Sequence, residues 1–111
     1  MLKKDYKIST SKEYSFIYKT GKKVPGKYII LILRHNNADF NRFGIVASKK
    51  VGNAVKRNRA KRQIREIIKN NNDSWKKGYD IVLIARTSIN ETSFAMLEKD
   101  LIYLVKRARL C

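Results

Sequence analysis

Arg57, Asn58, Arg59, Lys61, Arg62 and Arg65 crowd into fewer than three turns of a candidate helix. At about 100° per residue, Asn58, Arg62, Arg65 and Lys69 fall on one side, with Arg59 and Lys61 at its margins. Only Glu66 inside the run carries the opposite charge. Like charges one turn apart destabilise a helix by a few tenths of a kcal/mol each, so this face calls for a polyanion. An ordinary solvated face usually mixes both signs. Lys49 and Lys50 lie just upstream and add to the same run of positive charge. Cleaving a phosphodiester with protein groups needs a general acid and base, or carboxylates clustered to hold two metals about 4 Å apart. The nine acidic residues are scattered and form no D-x-D or E-x-x-H pattern. His35, the single histidine, has no carboxylate or nucleophile motif around it and reads as a loop residue. The expectation is a binding protein with no catalytic residue or firm metal ligand of its own.

The element that must present these cations is legible in the same run. Gly52-Asn53 makes a turn and a helix N-cap, and Ala60, Ile64, Ile67 and Ile68 recur at i, i+4, i+7 and i+8 as one apolar stripe. Ahead of it, Thr10-Ser11-Lys12-Glu13 has the form of a capping box, which starts a short helix ending at Gly21 in a left-handed stop. Tyr14, Ile17 and Tyr18 share one face of that helix, and Phe16 points elsewhere. Two uses suit Tyr14 and Tyr18: core packing, or base stacking beside Lys12, Lys19, Lys22 and Lys23.

Three strands are readable. Tyr28–Leu33 is bulky, β-branched and apolar on both faces, with Ile29, Leu31 and Leu33 on one and Tyr28, Ile30, Ile32 and Arg34 on the other. Residues 35–41 read as a polar hairpin loop leading to a strand over 42–48. A strand at 79–86 follows the basic helix, which makes a crossover and a parallel pair available. Trp75 is expected as a lid on the core edge. Residues 87–92 read as a loop, after which Thr92 or Ser93 caps a last helix with Phe94, Leu97, Leu101, Leu104, Val105 and Ala108 buried.

Composition bounds the rest. The 111 residues suffice for one domain with a modest core, preceded by a basic arm over residues 1–8. A net charge of +17 favours nucleic acid, with an anionic membrane surface the weaker option. Cys111 is the only cysteine, which excludes an internal disulfide and fits a reducing cytoplasm. No signal region or membrane-span length is present, so a cytoplasmic location with no membrane partner is expected.

Ala47-Ser48-Lys49-Lys50-Val51-Gly52-Asn53-Ala54-Val55, followed by Arg57-Asn58-Arg59-x-Lys61-Arg62-x-x-Arg65-Glu66, resembles the signature of the bacterial ribonuclease P protein subunit. The resemblance covers most of residues 8–109 and is strongest over 44–66. It implies a small α+β domain of order α-β-β-(β)-α-β-α, a sandwich with a short extra strand near Val24 and a left-handed βαβ crossover. The implied function is that of a subunit that joins a large catalytic RNA and helps remove the 5′ leader of precursor tRNA. Its partners would be ribonuclease P RNA and precursor tRNA, with no protein partner required, and Mg2+ would be held mainly by the RNA. By the same resemblance Arg57, Asn58, Arg59, Lys61, Arg62 and Arg65 sit close to the RNA and the cleavage end of the leader, and Asn58 approaches a metal-bound water. The resemblance also implies that Lys49 and Lys50 would contact phosphate. Tyr14, Tyr18, Ile30 and Ile32 line the leader cleft, although the family often has an aromatic where this chain has Ile32.

Two other classes compete: a general RNA-binding or ribosomal protein, and a DNA-binding architectural protein with the basic helix in a major groove. The DNA reading requires base-reading side chains or a dimer with defined half-site spacing, and neither a dimer seam nor a helix-turn-helix is visible. The general RNA reading leaves the Lys-Lys-x-Gly-Asn-x-x-x-Arg-Asn-Arg order without a cause.

Overall fold

The computed structural model describes residues 6–111; the first part of the basic arm, residues 1–5, lies outside the described residues. Three helices and four strands follow in the order α1 (Ser11–Thr20), β1 (Lys22–Pro25), β2 (Ile29–His35), β3 (Arg42–Val46), α2 (Ala54–Asn71), β4 (Tyr79–Ala85) and α3 (Phe94–Arg107). The expected α+β order is present, with β1 as the short strand at Val24.

The strands form one sheet in the order β1-β2-β4-β3. β2 and β4, apolar on both faces, take the two central places, where both faces must be covered. The edges go to β1, with its two lysines and Pro25, and to β3. Residues 36–41 are therefore not a hairpin, as their polar composition had suggested, because β4 inserts between β2 and β3, antiparallel to one and parallel to the other. Strands β1 and β2 form a tight hairpin, and Asp100 of α3 holds its turn by accepting from the backbone N–H groups of Lys27 and Tyr28.

α2 and α3 cover one face of the sheet. Ala60, Ile64, Ile67 and Ile68 of α2 and Leu97, Leu101, Leu104 and Val105 of α3 meet Ile29, Leu31, Leu33, Ile81 and Leu83 in the main core. Each of the Leu, Ile and Val side chains contributes about 1.5–3 kcal/mol by leaving water. Tyr28 packs against this core, so it belongs to the opposite face from the one its alternation predicted, because it precedes the regular strand. Trp75 lies inside the core rather than over its edge, its ring centroid 6.1 Å from that of Phe43. Residues 87–91 form a 3-10 turn that buries Ile89.

α1 covers part of the other face, seating Ile17 among Ile8, Ile32 and Val82. Its capping box is complete, with Thr10 and Glu13 bonded reciprocally. Gly21 ends it in an extended conformation (φ −81°), not the left-handed one expected. Glycine is needed there for space: a Cβ would lie 2.6 Å from the Ile17 carbonyl oxygen and 2.8 Å from Ile32 Cγ2.

Candidate nucleic-acid interface

The turn that launches α2 is built around two residues. Gly52 has φ +141°, in the region that side chains other than glycine rarely enter, and its Cβ would meet Lys56 Cδ at 2.7 Å. Val51 is buried, and its carbonyl accepts from the Asn90 amide. Lys49 and Lys50 are thereby held on an anchored turn, both exposed, at the mouth of the helix. Asn53 caps α2 by accepting from the Lys56 N–H, and the first turn carries no acidic residue. The partial positive charge of the helix N-terminus thus adds to the lysines instead of being offset.

Along α2 the buried stripe turns the cations outward as expected. Asn58, Arg59, Arg62, Arg65 and Lys69 are exposed, while Arg57 and Lys61 are half-buried. Arg57 Nε is buried and has no partner among the described residues. Of the α2 and turn residues expected to bind RNA, Lys49, Lys50, Asn58, Arg59, Arg62 and Arg65 are thus free to face a partner, whereas Arg57, in register with Ala60 and Ile64, is drawn toward the buried stripe.

The surface where the leader cleft was expected follows from sheet register. On the α1 face, one row across β2, β4 and β3 is Arg34–Asp80–Arg42, the next is Ile32–Val82–Gly44, and the last is Ile30–Ile84–Val46. Helix α1 closes the middle row, leaving the last one apolar and only half-buried. Tyr14 stands over the boundary. Its ring fills the space left by Gly44, where a Cβ would fall 2.6 Å from the tyrosine oxygen. Its hydroxyl donates to the Ile8 carbonyl at 3.2 Å, and its ring centroid lies 6.2 Å from that of Tyr18. Tyr18 is 44% exposed. Burial raises the pKa of both hydroxyls, and a negative charge on Tyr18 or Glu13 would raise that of Tyr14 further.

Ile32 departs from the expected cleft lining. Only 5% exposed, it lies beneath α1 and packs with Ile17 and Val82. The accessible apolar row is instead Ile30 with Val46 and Ile84, two residues that the sequence arguments passed over. Strand alternation within β4 was the available signal for Ile84, but pairing with Ile30 and Val46 required the strand order. Arg65 joins the two surfaces around the β3 edge, lining with Lys7, Ile8, Tyr14 and Gly44 a pocket of about 150 Å³.

At the other end of the α1 face, a cavity of about 480 Å³ is lined by Glu13, Phe16, Arg34, Arg42 and Asp80. Its charges are largely spent on one another. Arg42 donates through Nε and Nη2 to the Asp80 carboxylate at 2.9 and 2.8 Å and through Nη1 to Glu13 at 2.6 Å. The bond from Arg42 holds the Glu13 carboxyl below its usual range. This network clamps α1 to the sheet. Among the described residues no group of three or more His, Cys, Asp or Glu side chains could hold a metal ion, and no helix is long and apolar enough to cross a membrane.

The chain matches the family described as Ribonuclease P over residues 2–109. It is 44% identical over 110 residues to a ribonuclease P protein component of Syntrophomonas wolfei subsp. wolfei, spanning 99% of this chain and 92% of that relative. It is 42% identical to one from Clostridium botulinum, spanning 95% and 96%. Among solved structures, a Staphylococcus aureus RNase P protein mutant with defective mRNA degradation activity superposes with a TM-score of 0.91 at 33% identity, covering 97% of this chain and 92% of that one. The RNase P protein from Thermotoga maritima gives 0.83 at 33% identity, covering 91% and 96%. With sequence match and fold in agreement along nearly its whole length, the chain belongs to the ribonuclease P protein family, the protein component of an endoribonuclease that processes tRNA.

Proposed function

We propose that this protein binds ribonuclease P RNA through the Lys49–Lys50 turn and the cationic face of α2, and binds the single-stranded 5′ leader of precursor tRNA in the cleft beside Tyr14 and Tyr18. The observation that carries this reading is the meeting of an apolar row, Ile30–Ile84–Val46, with a tyrosine pair beside Arg65 of a basic helix face that makes no ion pair among the described residues. Unstacked bases need a flat apolar or aromatic seat, and the phosphates beside them need cations. In this reading the RNA performs the magnesium-dependent cleavage. The described side chains do not fit a magnesium site of the protein's own, since they offer no cluster of ligands. Asn58, a neutral oxygen donor in a field of guanidinium groups, would touch an RNA-bound ion only through a water. The reaction would take place in the cytoplasm.

Reconstitution tests the reading. The purified protein, mixed with a bacterial ribonuclease P RNA and precursor tRNA at low magnesium, should raise the rate of leader removal above that of the RNA alone. The protein without RNA should leave the precursor intact. Failure to stimulate the RNA, or cleavage by the protein alone that an acidic-residue substitution removes, would refute it.

A further inference from the structure

A second apolar surface lies around the sheet edge from the cleft, where α3 packs on the β1–β2 hairpin. Tyr28, Met96 and Tyr103, with Lys27, Lys99 and Asp100, line an open hollow of about 240 Å³. Met96 is 47% and Tyr103 56% exposed, large apolar side chains that the core does not use. The cations are placed beside the rings. Lys27 Nζ is 5.5 Å from the centroid of the Tyr28 ring, and the Arg107 guanidinium is 5.8 Å from that of Tyr103. Among the described residues, none of Lys27, Lys99 and Arg107 is in an ion pair. The one carboxylate in the hollow, Asp100, is turned inward onto the hairpin backbone.

We infer that this hollow seats bases of the distal part of the precursor leader, beyond the nucleotides held in the cleft. Its composition asks for a ligand that is both anionic and rich in flat apolar groups, which describes single-stranded RNA. A second copy of this chain, at a net charge of +17, would be repelled. Continuity with the cleft favours the leader as the source. Tyr28 stands two residues before Ile30 of the cleft floor, and Arg86, two residues after Ile84, ties the turn between the two surfaces by donating to the Tyr28 and Gly26 carbonyls. Because Tyr28 and Ile30 lie on opposite faces of the sheet, a leader lying on Ile30 would turn over the strand end, where Lys27 and Arg86 are exposed, to reach Tyr28 and Tyr103. The inference rests on the proposed leader cleft and extends its track.

The test uses the assembled enzyme and two precursor tRNAs, one with a leader short enough to end inside the cleft and one long enough to pass the hairpin. Tyr103→Ala, shown by thermal melting to be folded, should weaken binding of the long-leader precursor by about fivefold or more at fixed salt, the loss of one stacked base. Binding of the short-leader precursor should not change. Tyr103→Phe, which keeps the ring, should restore the long-leader affinity. A photoreactive uridine in the distal leader should cross-link to a peptide containing Tyr28 or Tyr103. Equal affinities for Tyr103→Ala and the unsubstituted protein on the long leader would overturn the inference, as would cross-linking of the patch to the RNA subunit or retention of an acidic peptide there. Failure of the cleft itself has a different signature: the unsubstituted enzyme would not distinguish even the short-leader precursor from mature tRNA.

Discussion

Replacing Gly44 with alanine tests how the cleft wall is set, because it adds a single methyl group under Tyr14. The new Cβ would lie 2.6 Å from the tyrosine oxygen, 2.7 Å from Cε1 and 2.8 Å from Cζ, so the ring has to move. It cannot swing away without loss, since its hydroxyl is bonded to the Ile8 carbonyl and its ring packs beside Tyr18. Overpacking of this kind costs about 1–3 kcal/mol. Gly44 is in ordinary strand conformation, and restricting the unfolded chain with alanine returns about 0.4–1 kcal/mol. The net expectation is a loss of roughly 1–2 kcal/mol, equivalent to about 5–10 °C in melting temperature for a domain of this size. Leader binding should weaken as well, seen as a smaller ratio of mature-tRNA to precursor dissociation constants. A double-mutant cycle with Tyr14→Leu isolates the cause: shortening residue 14 removes the clash, so the Gly44→Ala penalty should largely vanish in that background. Strict additivity, or an unchanged melting temperature in Gly44→Ala, would refute the proposed contact.

Three further outcomes are expected. Tyr18→Leu should cost about 1–3 kcal/mol in precursor binding to the assembled enzyme while mature-tRNA binding hardly changes; equal losses for both ligands would return Tyr18 to a packing role. Arg62→Ala and Arg65→Ala should each flatten the log–log salt dependence of RNA binding by about 0.7–0.9 per lost phosphate contact, and an unchanged slope would show that those guanidinium groups do not meet phosphate. The Glu13 carboxyl, bonded to Arg42, has its pKa lowered below the usual 4.5, so its stabilising contribution is present above that pH and is lost as pH falls through the lowered value. Melting temperatures below about pH 4.5 should accordingly fall more steeply for the unsubstituted protein than for Glu13→Gln, and parallel curves would disprove the coupling.

Periodicity in the chain itself determined the local elements. The Ala60–Ile64–Ile67–Ile68 stripe orients α2, the Thr10–Glu13 box starts α1, and Asn53 caps the basic helix, because each depends on residues within one or two turns of each other. The basic surface was legible for the same reason: once the apolar stripe is buried, the opposite side chains have only solvent to face. What lay beyond local rules was decided by tertiary structure. Strand order is a long-range choice, and β4, inserting between β2 and β3, replaced the expected hairpin and assembled the floor from Ile30, Ile84 and Val46. Alternation could place Ile32 on the cleft face but not reveal that α1 would cover it, since burial depends on where a helix distant in the chain comes to rest. The need for glycine at 44 came from the close approach of Tyr14, and at 21 from that of Ile32 in addition to the helix's own Ile17 carbonyl.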